Sequence, residues 1–365
     1  MLSIKCTNCH KRYPEGELPH CCPLCGGVFD FSSLPDFDVA WGSDINELGM
    51  WTYRRAFMLP KDVPRVSLGE GNTPLIWQEV NGKEIGFKLE FINPTGSFKD
   101  RGTSLLVSYM KYLGIKFAVE DSSGNAGASF AAFAARAGIR VRVYVPDYAS
   151  GPKVAQIRAY GAEIVSVSGA RSRATEEVLR AVECGDVYAS HAYQPFGLLG
   201  FSTIAYELFE QIGGVAGTII APVGQGSLLL GIIRGFQVLH KAGLITNMPT
   251  FVGVQARACA PVWAVFHYGA TGLGWVGEGE TIAEGIRIKY PLRGDLLLQL
   301  VRKYEGTIMA VDEEDILAGR DQLARFGLYV EPTSAIVWEA IRQLPTEVPE
   351  PVIAILTGSG LKSDR

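Results

Sequence analysis

The sequence predicts an α/β protein with mostly parallel sheets, preceded by a small cysteine-rich module. From Val63 onward, strand-like apolar runs alternate with amphipathic helical stretches. Glycine-containing turns separate several of these strands from the helices that follow them, as in S-S-G-N at 122–125. The 365-residue chain, with 47% hydrophobic and 20% charged residues, is long enough for two ordinary domains and one small module.

The cysteine-rich module contains two C-x-x-C pairs, Cys6 with Cys9 and Cys22 with Cys25. Four thiolates from two such turns suit tetrahedral zinc and close a module too small to have its own core, so we predict a structural zinc ribbon. A metal-free remnant or a redox pair is the alternative, and Cys21 is either an alternative ligand or a spare thiol. A closed four-thiolate site gives this zinc no catalytic role.

The region that follows the module, up to about residue 62, has few apolar patterns but several aromatic residues. These are Trp41, Trp51, Tyr53 and Phe57. We predict a linker arm that packs on the main body of the protein.

Successive strand-helix units make up the rest of the chain. The predicted strands begin at Phe117 and continue at 141–145, Glu163–Val167, 219–223, 251–255, 308–311 and 352–356, and the predicted helices include 128–137, 153–160 and 228–240. Units of this length form doubly wound sheets, whose ligands bind at the carboxyl ends of the strands. The S-S-G-N turn lies at such an end.

The stretch N-P-T-G-S-F-K-D-R-G at 93–102 contains the main catalytic candidate, Lys99. Ser97 is predicted to cap a helix whose first turn contains this lysine. The positive end of a helix disfavours a second positive charge by about 0.3–1 kcal/mol, which favours the neutral amine. A neutral amine can form a Schiff base. The alternative is an ordinary solvated lysine in a first helical turn.

A second glycine turn, Gly224-Gln225-Gly226-Ser227, connects the predicted strand 219–223 to the helix 228–240. Glycines in this position let backbone N–H groups converge on an anion, and the helix dipole adds a favourable potential. The pattern indicates a phosphate cup, although an ordinary tight turn between a strand and a helix gives the same pattern.

Composition argues against nucleic acid and membranes as partners. The net charge is −4 without a basic block, and charges or glycines interrupt the longest apolar runs. The first residues, M-L-S-I-K-C, lack the apolar core of a signal peptide. We therefore expect a cytoplasmic protein that binds a small molecule.

Seven motifs then identify a family. In chain order they are G-E-G-N-T-P-L (69–75), N-P-T-G-S-F-K-D-R-G (93–102), S-S-G-N-A-G-A-S (122–129), V-G-Q-G-S (223–227), T-I-A-E-G-I-R-I (281–288), E-P-T-S-A (331–335) and L-T-G-S-G-L-K (356–362). With them, the chain from about Ser67 to its C-terminus resembles the threonine synthase family of pyridoxal-phosphate (PLP) enzymes. Members of this family also include proteins with similar N-terminal ribbons.

The resemblance implies fold type II, with two doubly wound parallel-sheet domains after an N-terminal zinc ribbon. The implied divisions are a zinc ribbon at 1–33, a linker arm at 34–62, a large PLP-binding domain at 63–104 and 196–365, and a small mobile domain at 105–195. A homodimer is also implied, because the arm often contributes to dimer contacts in this family.

The resemblance further implies roles for individual residues. Lys99 carries PLP as a Schiff base and, once freed, removes the Cα proton of an amino-acid substrate. The implied cofactor contacts are Gly224, Gln225, Gly226 and Ser227 to the phosphate, Asn125 to the ring hydroxyl and Thr357 to the ring nitrogen. The implied substrate contacts are Ser122, Ser123 and Gly124 to the α-carboxylate, and Ser97 and Arg101 to the substrate phosphate. A hydroxyl group at the ring nitrogen, in place of an Asp, favours elimination and replacement over transamination.

One segment departs from the family pattern. Where the family has Asn-Ser-x-Asn-Pro-x-Arg, with the Asn, Ser and Arg helping to bind the substrate phosphate, this chain has H-A-Y-Q-P-F-G at 191–197, so that Gly197 takes the position of the arginine. Losing a two-pronged arginine contact weakens phosphate recognition by a factor of about 100 to 10,000. Arg171 or Arg173 could compensate, or both could be solvated charges at the start of a helix.

Three functions follow from these observations. The first is threonine synthesis from O-phosphohomoserine by elimination and addition of water. The second is β-elimination or β-replacement on another amino acid, as in serine and threonine dehydratases, which the apolar segment 193–201 favours. The third is an inactive, PLP-free scaffold that uses its ribbon for interactions.

Overall fold

A computed structural model describes residues 3–37, 47–169 and 171–363 of the chain. Contacts divide the chain into two compact units. The first comprises the described residues of Met1–Glu70 and Lys99–Gly200, and the second comprises Gly71–Phe98 and Phe201–Ser363. None of the described helices combines the length and the apolar character needed to cross a bilayer.

The described strands, in chain order, are β1 (Ile4–Cys6), β2 (Phe29–Phe31), β3 (Leu75–Val80), β4 (Lys83–Lys88), β5 (Phe117–Glu120), β6 (Arg140–Pro146), β7 (Glu163–Val167), β8 (Thr218–Pro222), β9 (Thr250–Ala256), β10 (Thr307–Val311) and β11 (Val352–Ile355). The described α-helices are α1 (Lys99–Tyr112), α2 (Asn125–Ala137), α3 (Pro152–Ala159), α4 (Arg171–Glu183), α5 (Phe196–Ile212), α6 (Ser227–Lys241), α7 (Pro261–Tyr268), α8 (Gly294–Lys303), α9 (Glu313–Arg325), α10 (Pro332–Ala335) and α11 (Val337–Arg342).

The first unit contains the parallel sheet β5-β6-β7 and the antiparallel pair β1-β2. Each parallel strand is followed by a helix, so the unit is built from strand-helix repeats, as the alternating pattern predicts. A buried cluster that includes Val119 of β5 and Val178 of α4 fills the space on one side of the sheet.

The predicted linker arm falls in this unit, and part of it, including Trp41, lies outside the described residues. Its later aromatic residues occupy a 3₁₀ helix, Gly49–Phe57, in which Trp51, Tyr53 and Phe57 are buried. The indole N–H of Trp51 donates to Glu70 Oε1 at 2.9 Å and to Ser104 Oγ at 3.0 Å. These bonds fix the arm to helix α1.

The second unit is built on a six-stranded sheet in the order β10-β9-β8-β11-β4-β3. All neighbours are parallel except β3 and β4, which form an antiparallel hairpin. Every residue of β8 and β11 is buried, as expected for central parallel strands covered on both faces. Because β8 and β11 are parallel neighbours, the turns that follow them lie at the same edge of the sheet.

A buried ion pair joins β4 to α5 within the second unit. Lys88 Nζ lies 2.6 Å from Glu207 Oε2, and both side chains are at most 4% exposed. The lysine also donates to the carbonyl oxygen of Thr73 at 2.7 Å and to Gln211 Oε1 at 3.0 Å. The carboxylate accepts from the backbone N–H of Asn72 at 2.7 Å. The pair therefore fixes the G-E-G-N-T-P-L motif to the sheet.

The cysteine module packs within the first unit on the segment 188–196, which lies between α4 and α5. Gln194 is the central polar contact: its Oε1 accepts from Tyr13 Oη at 3.4 Å and its Nε2 donates to the carbonyl oxygen of Tyr188 at 3.3 Å. The ring of His20 lies 5.5 Å from that of Tyr188 and 5.4 Å from that of Tyr193. The module is thus an integral part of this unit.

Candidate active site

The glycine turn at 224–227 follows β8 at the carboxyl edge of the second unit's sheet. Gly226 has φ +82°, a left-handed conformation that favours glycine, and helix α6 begins at the next residue, Ser227. The first backbone N–H groups of a helix have no partner inside the helix, so this turn presents donors for an anion. The side chain of Gln225 binds the protein backbone: its Oε1 accepts from the backbone N–H of Leu292 at 3.0 Å.

Thr357 follows β11 at the same edge. Its side chain is 2% exposed, and its Oγ1 has no hydrogen-bond partner among the described residues. The backbone of this residue is fixed on both sides: its N–H donates to Ser334 Oγ at 2.8 Å, and its carbonyl oxygen accepts from Phe98 N–H at 3.0 Å. A buried hydroxyl of this kind can bind a partner from outside the described part of the chain, because buried polar groups are generally hydrogen-bonded.

Hydrogen bonds among three of the family motifs fix the surroundings of Thr357. The E-P-T-S-A motif supplies Ser334, and its Thr333 accepts from Gly285 N–H of the T-I-A-E-G-I-R-I motif at 3.1 Å. In the L-T-G-S-G-L-K motif, Lys362 Nζ donates to the carbonyl oxygen of Thr95 at 2.7 Å. These three motifs and N-P-T-G-S-F-K-D-R-G are therefore connected by direct hydrogen bonds.

The prediction that Ser97 caps helix α1 is wrong. The Oγ of Ser97 is fully buried and has no hydrogen-bond partner among the described residues, so Ser97 does not cap helix α1 through its side chain. The reason is that its backbone pairs in an isolated β-bridge with Gly358, which leaves the residue two positions before the helix. Ser97 Oγ and Thr357 Oγ1 are thus two buried hydroxyls of the second unit to which no described residue offers a hydrogen bond.

Lys99 is the first residue of helix α1, as predicted for a first-turn lysine. Its side chain is half-buried, whereas Asp100 and Arg101 are fully buried. Lys99 belongs to the first unit together with the S-S-G-N turn, so that the amine and this turn are parts of one body.

The S-S-G-N turn links β5 to α2. The helix begins at Asn125, three residues earlier than the predicted 128–137, because Gly124 already has the extended conformation of a residue that precedes a helix. Ser122 Oγ accepts from Gly124 N–H at 3.2 Å. A Cβ atom at Gly127 would lie only 1.8 Å from the carbonyl oxygen of Ser122, so only glycine permits this tight turn.

Two residues without a predicted role, Glu120 and His191, form a pair next to this turn. Glu120, the last residue of β5, is 1% exposed, and its Oε1 lies 3.2 Å from His191 Nδ1. Its second oxygen, Oε2, is buried and has no hydrogen-bond partner among the described residues. The His191 side chain is 30% exposed, so part of the ring is accessible.

The charges around this pair include Lys99. Burial raises the pKa of Glu120 well above its ordinary value, and the Asp121 carboxylate raises it further, whereas Arg171 and Lys99 lower it. Burial lowers the pKa of His191 well below its ordinary value, and the positive charges of Lys99 and Arg171 lower it further. The pair therefore lies within electrostatic range of the candidate catalytic amine.

The two arginines considered as substitutes for the missing arginine differ in their surroundings. Arg173 Nη1 forms an exposed ion pair with Glu176 at 2.7 Å. Arg171, at the start of α4, acts electrostatically on both Glu120 and His191. Of the two, Arg171 is thus the one whose charge acts on the Glu120–His191 pair.

The four predicted zinc ligands come together in the first unit. The Sγ atoms of Cys6, Cys9, Cys22 and Cys25 all lie within 4.8 Å of one another, and two of the pairs are 3.5 Å and 3.6 Å apart. Thiolates at about 2.3 Å from a tetrahedral zinc lie about 3.8 Å apart, which matches this spacing. Cys21 is not part of the group; its Sγ lies 3.4 Å from His20 Nε2.

The position of Glu120 in the sequence indicates a functional residue, although Glu120 lies outside the family motifs. Two acidic residues, Glu120 and Asp121, end an apolar strand at the edge where ligands bind. The signal for His191 is its position in the segment that departs from the family pattern. Their pairing could not be deduced, because 71 residues separate them along the chain.

Comparisons with known proteins agree with this arrangement. Residues 66–358 match the family described as pyridoxal-phosphate dependent enzyme. The threonine synthase of Methanocaldococcus jannaschii is 33% identical over 98% of this chain and 92% of its own length, and that of Methanosarcina acetivorans is 32% identical over 99% and 92%.

Solved structures show the same fold. The T.th. threonine deaminase superposes with a TM-score of 0.64 at 27% identity, covering 79% of this chain and 92% of its own. Maize serine racemase gives a TM-score of 0.67 at 24% identity, over 79% and 88% of the two chains. These matches confirm the predicted fold type II. The chain therefore belongs to the threonine synthase family and is a pyridoxal-phosphate-dependent lyase.

Proposed function

We propose that this enzyme forms threonine from O-phosphohomoserine by eliminating phosphate and adding water. The observation that carries the proposal is the similarity to threonine synthases over 98% of the chain, which includes the cysteine module as well as the catalytic motifs. An amino-acid substrate of this kind requires groups that bind its carboxylate and its phosphate and a base for its Cα proton.

The residues present fit PLP. The buried hydroxyl of Thr357 has no protein partner among the described residues, and the Gly226 turn presents backbone N–H groups at the same sheet edge. We assign the cofactor phosphate to Gly224, Gln225, Gly226 and Ser227, the ring nitrogen to Thr357 and the ring hydroxyl to Asn125. When bound, PLP withdraws electrons from the substrate's Cα and thereby makes its proton removable.

Each remaining residue binds or positions the substrate. Lys99 bonds to the cofactor and, when released, takes the Cα proton. Backbone N–H groups at Ser122, Ser123 and Gly124 bind the α-carboxylate, supported by the helix start that follows them. Ser97 and Arg101 contribute to binding the phosphate of the substrate.

A second function, elimination from an unphosphorylated amino acid, is favoured by two observations. Gly197 stands where the family has a phosphate-binding arginine, and the structural relative with 27% identity is a threonine deaminase. L-Threonine and L-serine are the substrates that this alternative predicts.

Turnover of a defined panel decides between the two. We expect the purified holoenzyme to release inorganic phosphate from O-phospho-L-homoserine and to form threonine, which amino-acid analysis detects. Phosphate release should exceed keto-acid formation from L-threonine, L-serine and O-acetyl-L-serine. Keto acid from L-threonine or L-serine without phosphate release would instead establish the second function.

We also propose that the four cysteines bind one structural zinc ion. Replacing Cys22 with serine is expected to reduce the zinc content from one ion per chain to none, measured by elemental analysis, because three remaining thiolates bind zinc far more weakly. Cys21→Ser is the matched control, since this thiol is adjacent in sequence but outside the four-cysteine group. Loss of zinc in Cys21→Ser with retention in Cys22→Ser would contradict the assignment.

A further inference from the structure

The carboxylate of Asp121 lies directly before the S-S-G-N turn, to which we assign the α-carboxylate of the substrate. The inference drawn from it rests on the proposed function and extends it. The turn begins at Ser122, so Asp121 is its neighbour in the chain, and Asp121 is only 6% exposed. A buried carboxylate beside an anion-binding turn requires an explanation, because both anions can accept from the same backbone N–H groups.

Two hydroxyl groups from other parts of the first unit hold the two oxygens of this carboxylate. Tyr188 Oη donates to Asp121 Oδ1 at 2.7 Å, and Thr175 Oγ1 donates to Asp121 Oδ2 at 2.6 Å. Both distances are in the short range that is typical of hydroxyl donors to a carboxylate. Each oxygen of Asp121 therefore already has a donor from outside the turn.

The position of Tyr188 is fixed by β5, the strand that leads into the turn. Val119 N–H donates to the carbonyl oxygen of Val187 at 2.8 Å, and Ala189 N–H donates to that of Val119 at 3.0 Å. The ring of Tyr188 is 3% exposed and belongs to the buried cluster beside this sheet. The ring of His20 from the cysteine module lies 5.5 Å from it. Backbone pairing and packing thus hold the Tyr188 hydroxyl in place.

An aspartate at this position has a competing partner in its own chain. Asp side chains readily accept a hydrogen bond from the backbone N–H two residues further along. For Asp121 that group is the N–H of Ser123, which is one of the donors that we assign to the α-carboxylate of the substrate. Without one of its hydroxyl donors, a buried oxygen of Asp121 would lack a partner, and the Ser123 N–H is the replacement that the local chain offers.

We propose that Tyr188 and Thr175 are positioning residues for substrate binding, which act by donating to both oxygens of Asp121. With its oxygens occupied, Asp121 leaves the N–H of Ser123 to the α-carboxylate of the amino acid. The two hydroxyls act through Asp121 rather than on the substrate itself. The effect concerns every amino acid that the site accepts, because all of them have the same α-carboxylate.

Isosteric variants remove one donor at a time. Tyr188→Phe keeps the buried ring and Thr175→Val keeps the shape of the side chain, but each leaves one oxygen of Asp121 without its hydroxyl. The probe is L-2-aminobutyrate, which has the α-amino and α-carboxylate groups of a substrate and no leaving group. Its titration into the holoenzyme is followed by the absorbance of bound PLP. We expect each variant to bind it at least about 10-fold more weakly, the effect of losing one hydrogen bond to a charged group.

A rescue variant separates this role from simple structural support. Adding Asp121→Ala to Tyr188→Phe removes the carboxylate that competes for the Ser123 N–H, so the affinity for L-2-aminobutyrate should return close to the wild-type value. If the hydrogen bonds only supported the fold, the double variant would lose further contacts and bind no better than Tyr188→Phe. That result would overturn the proposal, as would wild-type affinity in either single variant.

Controls establish that the variants are folded and contain the cofactor. Tyr148→Phe makes the same chemical change at a tyrosine of the first unit that is 67% exposed, and it should bind L-2-aminobutyrate as the wild type does. The amount of bound PLP and the circular dichroism spectrum should be unchanged in every variant, because Asp121 is not among the residues assigned to the cofactor. If Tyr188→Phe fails to fold, Thr175→Val tests the same carboxylate at a half-buried position.

Turnover is a second readout and separates this proposal from the proposed function. With O-phospho-L-homoserine, the KM of both single variants should rise at least about 10-fold at a nearly unchanged kcat, because the lost interaction concerns binding of the carboxylate. A fall in kcat at an unchanged KM would overturn the positioning role. If the wild type binds L-2-aminobutyrate but releases no phosphate, the proposed function fails, and the binding measurements still decide the role of Tyr188 and Thr175.

Discussion

Lys99→Ala is expected to abolish both the visible absorbance of the bound cofactor and the lyase activity. The variant lacks the amine that bonds to PLP and the base that takes the Cα proton, so turnover should fall by at least about 10,000-fold, the upper end of the contribution of a single acid–base group. The protein should remain folded, because alanine is favourable in a helix and Lys99 is only half-buried.

The matched control for this experiment is Lys111→Ala. Lys111 lies in the last turn of the same helix and is exposed, so its loss should leave absorbance and turnover unchanged. Borohydride reduction of the wild type followed by peptide mass spectrometry should locate the cofactor on Lys99. Recovery of the label on a different lysine, or an undiminished absorbance band in Lys99→Ala, would show that the assignment of the amine is wrong.

Lys88→Met should give the largest loss of stability among the changes considered. The substitution leaves the Glu207 carboxylate, whose side chain is 4% exposed, without its positive partner. Removing one partner of a buried ion pair costs about 3–5 kcal/mol, because the remaining charge stays out of water. Urea denaturation followed by circular dichroism measures the change in the free energy of unfolding.

Two further variants test this explanation. Adding Glu207→Gln to Lys88→Met should recover part of the loss, because a neutral amide oxygen still accepts from the Asn72 N–H and carries no buried charge. Arg173→Met breaks an exposed pair in which both side chains are 49% exposed, and it should cost at most about 1 kcal/mol. If Lys88→Met and Arg173→Met lowered the free energy of unfolding equally, the ion pair of Lys88 would not be buried.

The sequence predicted well those features that depend on neighbouring residues. The strand Glu163–Val167 was predicted with the bounds of β7, and the helix at 228–240 differs from α6 by one residue at each end. Alternating apolar patterns and glycine turns are local signals, because they express backbone conformation and the burial of one face. The family motifs located the candidate residues because each motif is also a short local pattern.

Features that depend on distant residues could not be predicted in this way. The capping role expected for Ser97 was wrong because Gly358, 261 positions away, pairs with its backbone. Lys88 and Glu207 are 119 residues apart, and nothing in either local pattern indicates the other. Only the order of the strands in the sheet brings such residues together, and that order depends on long-range packing.

The contacts of Gln194 have a consequence for how shortened forms of this chain should behave. Tyr13 Oη donates to Gln194, the His20 ring lies against Tyr188 and Tyr193, and Tyr188 Oη donates to Asp121 next to the S-S-G-N turn. A truncated protein that begins after residue 31 would expose these rings to water and lose the hydrogen bond from Tyr13 to Gln194. The N-terminal residues thus stabilise the segment 188–194 by direct contacts, and a minimal catalytic fragment has to include them.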